Sequence, residues 1–324
     1  MANRDSERLP VWDGSYQDSP PIDPLNICSV RCIPIFLHRQ NFDLMVQYRV
    51  INRKDDIPMK IYDITDKENA YNTFLRLSNV DERVLQRYIN EAKYGGSGDI
   101  FKRMLEKYDV RPTFKKDELI CHLQHMTTSA NGCEHIKEKG LTDLRVTYED
   151  TDSELRQFLD EQGVKIDLPG QRIYFNGEDL GSIEYSKENN SSDYYSPTHR
   201  RWCIGHKFYY DFCICGFFSF DHKRPYEGNV HYRPEILLNI SQLIGKNIGK
   251  LWTETHKTYV VKFAVPYDNL FNKELNEIDD FLYRAFNNAI DEPEENIALL
   301  QDHITVPPED IISIERFDFN TKSI

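Results

Sequence analysis

Residues 118–141 read ELICHLQHMTTSANGCEHIKEKGL, and the fold turns on this stretch. Residues 118–123 form an apolar run of strand type. A polar turn and a short helix follow over 129–139, and Gly140 stands where helices stop in the left-handed conformation. The reading is a strand that ends near His122 or His125 and passes directly into a helix.

Downstream, Thr151 and Glu154 have capping-box spacing, which predicts Thr151 as N-cap of a helix striped by Leu155, Phe158 and Leu159 and ended by Gly163. Residues 172–175 and 180–185 flank Asn176-Gly177, a pair that tolerates the positive φ of a type I′ hairpin turn. Residues 186–197 are polar and read as an exposed loop. Residues 208–220 are almost wholly apolar and aromatic, as a buried strand would be. Residues 258–265 alternate and are β-branched, a second core strand. Leu275, Ile278, Phe281, Leu282, Ala285 and Phe286 mark an amphipathic helix, and residues 311–314 a closing strand.

Upstream, residues 111–116 have the proline and charge of a linker. Before them, Val84, Leu85, Tyr88 and Ile89, then Phe101, Met104, Leu105 and Tyr108, recur at helical spacing. Gly95-Gly96-Ser97-Gly98 between those helices reads as a turn, because it follows a helix and lacks a P-loop lysine. Residues 33–37 and 44–48 look like strands, and the first 24 residues, with four prolines, like a loose arm. A chain of 324 residues exceeds the size at which one core stops growing. The expected division is an arm over 1–24, a small α+β domain over 25–112 and a larger α+β domain over 113–324.

The net charge of −13 disfavours non-specific attraction to nucleic-acid phosphate. Seven cysteines are an odd count for a disulfide framework, and the first residues lack the pattern of a signal peptide. No apolar run reaches the roughly 18 residues that span a membrane. A cytoplasmic protein with no membrane partner is expected.

Cys121, His122, His125, Cys133 and His135, with Cys203, His206, Cys213 and Cys215 later, are zinc-type ligands. Their spacing argues against a zinc site. There is no Cys-x2-Cys knuckle, and alternation in a strand sends Cys121 and His122 to opposite faces. No metal is expected. Thr198-His199-Arg200-Arg201-Trp202, with Arg224 and Arg233, is a basic and aromatic concentration, read as a solvated loop that can also hold phosphate.

The His125-Met126-Thr127 ending of the strand and the helix closing on Gly140-Leu141 resemble the opening motif of the ADP-ribosyltransferase superfamily, which includes poly(ADP-ribose) polymerases and bacterial toxins. His122 is a reserve for that histidine. Cys215-Gly216-Phe217-Phe218 resembles the family's second motif, with Tyr226 or Tyr232 as the ring that stacks on nicotinamide. Pro308-Glu309-Asp310-Ile311-Ile312-Ser313-Ile314 resembles the closing pattern of toxin-like members, and Glu295 is the matching catalytic acid, with Glu294, Asp302 and Glu309 as competitors. Phe218 departs from the Tyr of many relatives.

The resemblance implies a split two-sheet core with flanking helices. It implies NAD as substrate, held by His125, Thr127, Gly216, Phe218 and Tyr226, and ADP-ribose transfer to a protein, DNA or RNA acceptor. A toxin or phage-defence role, with an antitoxin or regulatory protein as partner, comes from the same resemblance. The chemistry fits such groups. Cleaving the nicotinamide–ribose bond builds positive charge on the ribose, which a nearby carboxylate stabilises. The alternative expectation is a non-catalytic interaction module, stabilised by zinc.

Overall fold

Strand β1 (Lys60–Tyr62) opens the part of the chain described by the computed structural model, which is residues 59–185, 193, 196–221, 230–271, 275, 277–291 and 293–318. The chain divides after residue 55, and all described residues belong to the second unit. The arm and the strands expected over 33–37 and 44–48 lie outside them. After β1 come α1 (Lys67–Leu77), α2 (Glu82–Ala92) and α3 (Ser97–Tyr108). Asp66 and Asp81 cap the first two by accepting from Asn69 N and Arg83 N. The helical spacings read from the sequence fall on α2 and α3, and the glycine-rich tetrapeptide lies at the turn between them.

Strand β2 (Leu119–Ser129) runs six residues beyond the apolar stretch that announces it, because His125, Thr127 and Thr128 suit a pleated, half-buried surface as well. Helix α4 (Glu134–Lys139) follows and stops at Gly140, whose φ is +82°. Then come α5 (Leu144–Glu149) and α6 (Glu154–Glu161). The N-cap of α6 is Ser153, which accepts from Arg156 N, and not Thr151. Strands β3 (Val164–Asp167), β4 (Arg172–Phe175) and β5 (Glu178–Ser182) make a meander. Asn176 and Gly177 carry φ of +51° and +84° at its second turn, as type I′ requires.

The aromatic stretch over 208–220 is not one strand. Helix α7 (Pro197–Tyr209) occupies its start, capped by Ser196, and β6 (Cys215–Ser219) its end. Pro197, expected in a loop, is the first residue of that helix. Helices α8 (Ile236–Ile244) and α9 (Ile248–Thr255) precede β7 (Lys257–Pro266). The amphipathic helix is α10 (Ile278–Ile290), starting after Leu275. Strands β8 (Asn296–Leu299) and β9 (Ile311–Arg316) close the fold, the latter as expected.

The class is α+β with two sheets. The main sheet has the order β8-β6-β2-β7-β9, with β1 alongside β2, and the meander is the second sheet. All pairings are antiparallel except β1 with β2. One core joins the helices α1–α3 and α10 to a face of the main sheet, through Phe74, Leu119, Leu123, Phe263, Phe281 and Phe286. Residues on both sides of residue 112 share it, and Thr113 N donates to Leu77 O at 2.9 Å. Truncating any one of these buried rings to alanine costs about 3–5 kcal/mol. A second core lies between the meander and α5–α9, centred on Tyr148, Phe208 and Trp252.

Two strands share one edge of β2. Strand β1 pairs with its first three residues, up to Tyr62 opposite Cys121, and β6 pairs further on, with Phe217 opposite Gln124. Because β1 is parallel and β6 antiparallel to β2, their carboxyl ends approach each other at the level of His122. The sheet is broken there.

Candidate active site

The break gathers polar side chains. Asp63, the first residue beyond β1, accepts four hydrogen bonds on a side chain 9% exposed. Its Oδ1 takes Thr65 N at 3.1 Å and Thr65 Oγ1 at 2.7 Å. Its Oδ2 takes Lys262 Nζ at 2.7 Å and lies 2.9 Å from His122 Nδ1. Lys262 Nζ also donates to Thr65 Oγ1 at 2.9 Å. All the lone-pair positions of a carboxylate are thereby filled. Burial alone would raise the Asp63 pKa. The bonds from His122, Lys262 and Thr65 outweigh it and hold the group well below the usual carboxylate range. A carboxylate can only accept, so His122 presents Nδ1–H to it, and the lone pair of the neutral ring is on Nε2.

The chain ends on either side of the break are tied together. Asn288, 1% exposed on α10, donates through Nδ2 to Ile64 O at 3.1 Å and to Ser219 Oγ at 2.9 Å. Ser219 Oγ also accepts from Asn296 Nδ2 at 2.8 Å and donates to Glu294 O at 2.7 Å. The backbone on both sides of Glu295 is therefore pinned by buried groups, while Glu295 itself is exposed immediately before β8. Two buried acceptors near the break, Gln124 Oε1 and Asn288 Oδ1, have no hydrogen-bond partner among the described residues.

The sequence-marked residues divide between two ends of one strand arrangement. His125 and Thr127 lie on β2, Gly216 and Phe218 on the neighbouring β6, and Glu295 beside β8, the next strand over. His122 and His125, three apart in a strand, face opposite sides of the sheet. Nδ1 of His125 donates to Cys215 O at 2.7 Å, and burial lowers its pKa, offset in part by that bond. The ring is neutral at pH 7, so its Nε2 accepts. Cys215 pairs with Leu299, four residues after Glu295. The register puts His125 level with Gly216 and Ala298, three residues from Glu295, so at about 3.3 Å per residue the two stand roughly 10 Å apart along the strands.

Gly216 is needed for closeness: a Cβ there would sit 3.2 Å from Gln124 O and 3.4 Å from the Phe263 ring. The Phe218 ring is 1% exposed in the main core, edge-on to Tyr62 at 5.6 Å. Thr127, half-buried, faces Tyr259 on β7. Tyr232 is 47% exposed, and Tyr226 and Arg224 lie outside the described residues. Glu294 is next to Glu295 in the exposed segment before β8. Asp302 follows β8 at its far end, and Glu309 lies in the turn before β9. Arg201 of the basic stretch donates to Leu180 O at 3.1 Å, which ties α7 to the meander. Trp202, with Tyr185, His206 and Tyr210, forms a half-buried ring cluster beside it.

Among the described residues no three His, Cys, Asp or Glu side chains are placed to hold a metal ion. Cys121 is buried in the core while His122 faces Asp63. Also among the described residues, no helix is long and apolar enough to cross a membrane. Asp63, Thr65, Gln124 and Lys262 carry no sequence signal that marks them as site residues. Asp63 and Lys262 meet across 199 positions. No protein-family model, curated protein or solved structure matches the chain.

Proposed function

We propose that the chain is an NAD-dependent ADP-ribosyltransferase, with the split two-sheet core of that superfamily, which transfers ADP-ribose to a protein or nucleic-acid acceptor. A toxin or phage-defence effector held in check by an antitoxin is the role that fits such an activity. What supports the reading is one spatial fact: His125 and Thr127 on β2 stand beside Gly216 and Phe218 on β6, and Glu295 immediately precedes β8, the next strand over, while the closing pattern over 308–314 leads into and lies on β9 at the other edge of the sheet. In this reading Glu295 faces the nicotinamide ribose and stabilises the charge that grows there as the glycosidic bond stretches. His125, roughly 10 Å along the strands, accepts from a hydroxyl of the second ribose. A dinucleotide, whose two riboses stand apart on a pyrophosphate, spans such a length. The buried Ser219–Asn288–Asn296 network keeps the acid's backbone fixed, which is the preorganisation that electrostatic catalysis needs.

The test is incubation with NAD labelled in the adenine portion and a cell lysate, with free nicotinamide measured in parallel. Label on protein or nucleic acid together with nicotinamide release is the expected result. Neither label nor nicotinamide at millimolar NAD would leave the interaction module as the reading of choice.

A further inference from the structure

We infer that His122 is the proton acceptor for the incoming nucleophile, with Asp63 and Lys262 as the residues that position it. The inference rests on the transfer reading above and adds to it a group for the acceptor side of the reaction.

Four observations converge on this ring. Its Nδ1 is committed to Asp63 Oδ2 at 2.9 Å, which leaves the lone pair on Nε2. No described residue hydrogen-bonds Nε2, and the side chain is 16% exposed. The Asp63 carboxylate has no spare acceptor position and cannot swing away, because Thr65 and Lys262 hold its other sites. Finally, His122 is located where both β1 and β6 stop. With Gln124 opposite Phe217, continuing the antiparallel register brings it level with Ser219, which pairs with Asn296 next to Glu295. With strands about 4.8 Å apart, β2 and β8 are separated by roughly 10 Å across β6. Of the two strand histidines, His125 faces the other side of the sheet and belongs to the other end of β8.

The step balances without a further reactant. A lone pair on the acceptor's oxygen or nitrogen forms the new bond to C1′ of the ribose. The bond from C1′ to nicotinamide breaks, its electron pair staying on the pyridine nitrogen, which loses its positive charge. The acceptor's proton passes to Nε2 of His122. The imidazolium that results faces a carboxylate already held in its ionised form, and it returns the proton to water afterwards. Asp63 fixes the tautomer and ring angle, and Lys262 fixes Asp63.

The experiment compares the full chain with His122→Asn and His122→Ala. Asn keeps an N–H donor for Asp63 and lacks the basic nitrogen, whereas Ala opens space at its position. NAD affinity, nicotinamide release in water and release in the presence of azide are measured on each. Azide is an anion that attacks without a proton to lose. The expected result is NAD binding within twofold of the parent and release lowered about 10²–10⁴-fold. Azide should restore release, with ribosyl azide as product. Release within threefold of the parent in His122→Asn overturns the inference. So does failure of azide to restore release in a variant that binds NAD and melts cooperatively. Should His122→Ala not fold, His122→Asn carries both measurements. A parent chain that releases no nicotinamide overturns the transfer reading and this inference with it, an outcome distinct from the others.

Discussion

Leu141 and Val306 exchange both of their backbone hydrogen bonds, N to O at 2.8 Å one way and 2.9 Å the other. This lone antiparallel bridge fastens the end of α4 to the segment that leads into β9. It explains why Gly140 precedes Leu141: at φ +82° and ψ −167° the backbone is in a region open essentially to glycine. A Cβ would also collide with the Val306 carbonyl oxygen.

Gly140→Ala is therefore expected to destabilise the fold by about 3 kcal/mol, the upper range for a strained φ/ψ. The midpoint of urea denaturation should fall with an unchanged slope. A shift under half of that would show that the bridge yields to the methyl group.

Asp63 makes a pH prediction whose sign can be worked out. Its native pKa lies below the unfolded value of about 3.9. Its contribution to stability is thus fully present above that value and is lost as the pH falls toward the native one. Asp63→Asn, which breaks a buried ion pair, should cost about 3 kcal/mol at pH 7. The gap between parent and variant should narrow below pH 4. Denaturation curves at pH 7, 5 and 3 check it, and a gap that stays constant across them counts against the assigned pairing.

Glu295→Gln should lower nicotinamide release by about 10²–10³-fold, as loss of one preorganised charge does in other enzymes. The melting temperature should hold, since an exposed residue contributes within about 0.5 kcal/mol. Asp302→Asn, at the far end of β8, should leave the rate alone. Reversal of the two results would move the catalytic acid to the His125 end of the sheet.

Trp252 Nε1 donates to Thr128 Oγ1 at 2.8 Å, both groups buried, and this bond joins the helical layer of the second core to the main sheet. Thr128→Val keeps the volume and removes the acceptor, so the orphaned N–H should cost about 1–3 kcal/mol. Thermal unfolding followed by tryptophan fluorescence measures it. An unchanged midpoint would mean that water replaces the lost partner.

What the sequence made legible was local. The hairpin at Asn176-Gly177 could be read because the turn's positive φ is a demand on two adjacent residues. Strand β7 and helix α10 declared themselves by period. The run over 208–220 misled because unbroken apolarity has no period: the end of a buried helix and the start of a buried strand look alike. Its real boundary signal was Ser196-Pro197, an N-cap followed by proline at the first helical position. The spacing of Thr151 and Glu154 pointed to the wrong cap, because the helix starts at Glu154 itself and Ser153, directly before it, accepts from Arg156 N. For the candidate site, the strand bearing the histidines could be found. The partners Asp63 and Lys262 could not, since nothing in their neighbourhoods foretells a meeting across 199 residues.

The break in the sheet takes Asp63 from one end of the described chain and Lys262, Asn288 and Glu295 from the other. A polypeptide is made from its amino end. Until residue 295 has left the ribosome the cluster is incomplete, and a product that ends before Lys262 holds only Asp63 of these four. On the proposed transfer reading, a molecule wired in this manner is inert during its own synthesis, and the cell that makes it meets the activity only once the chain has passed residue 295.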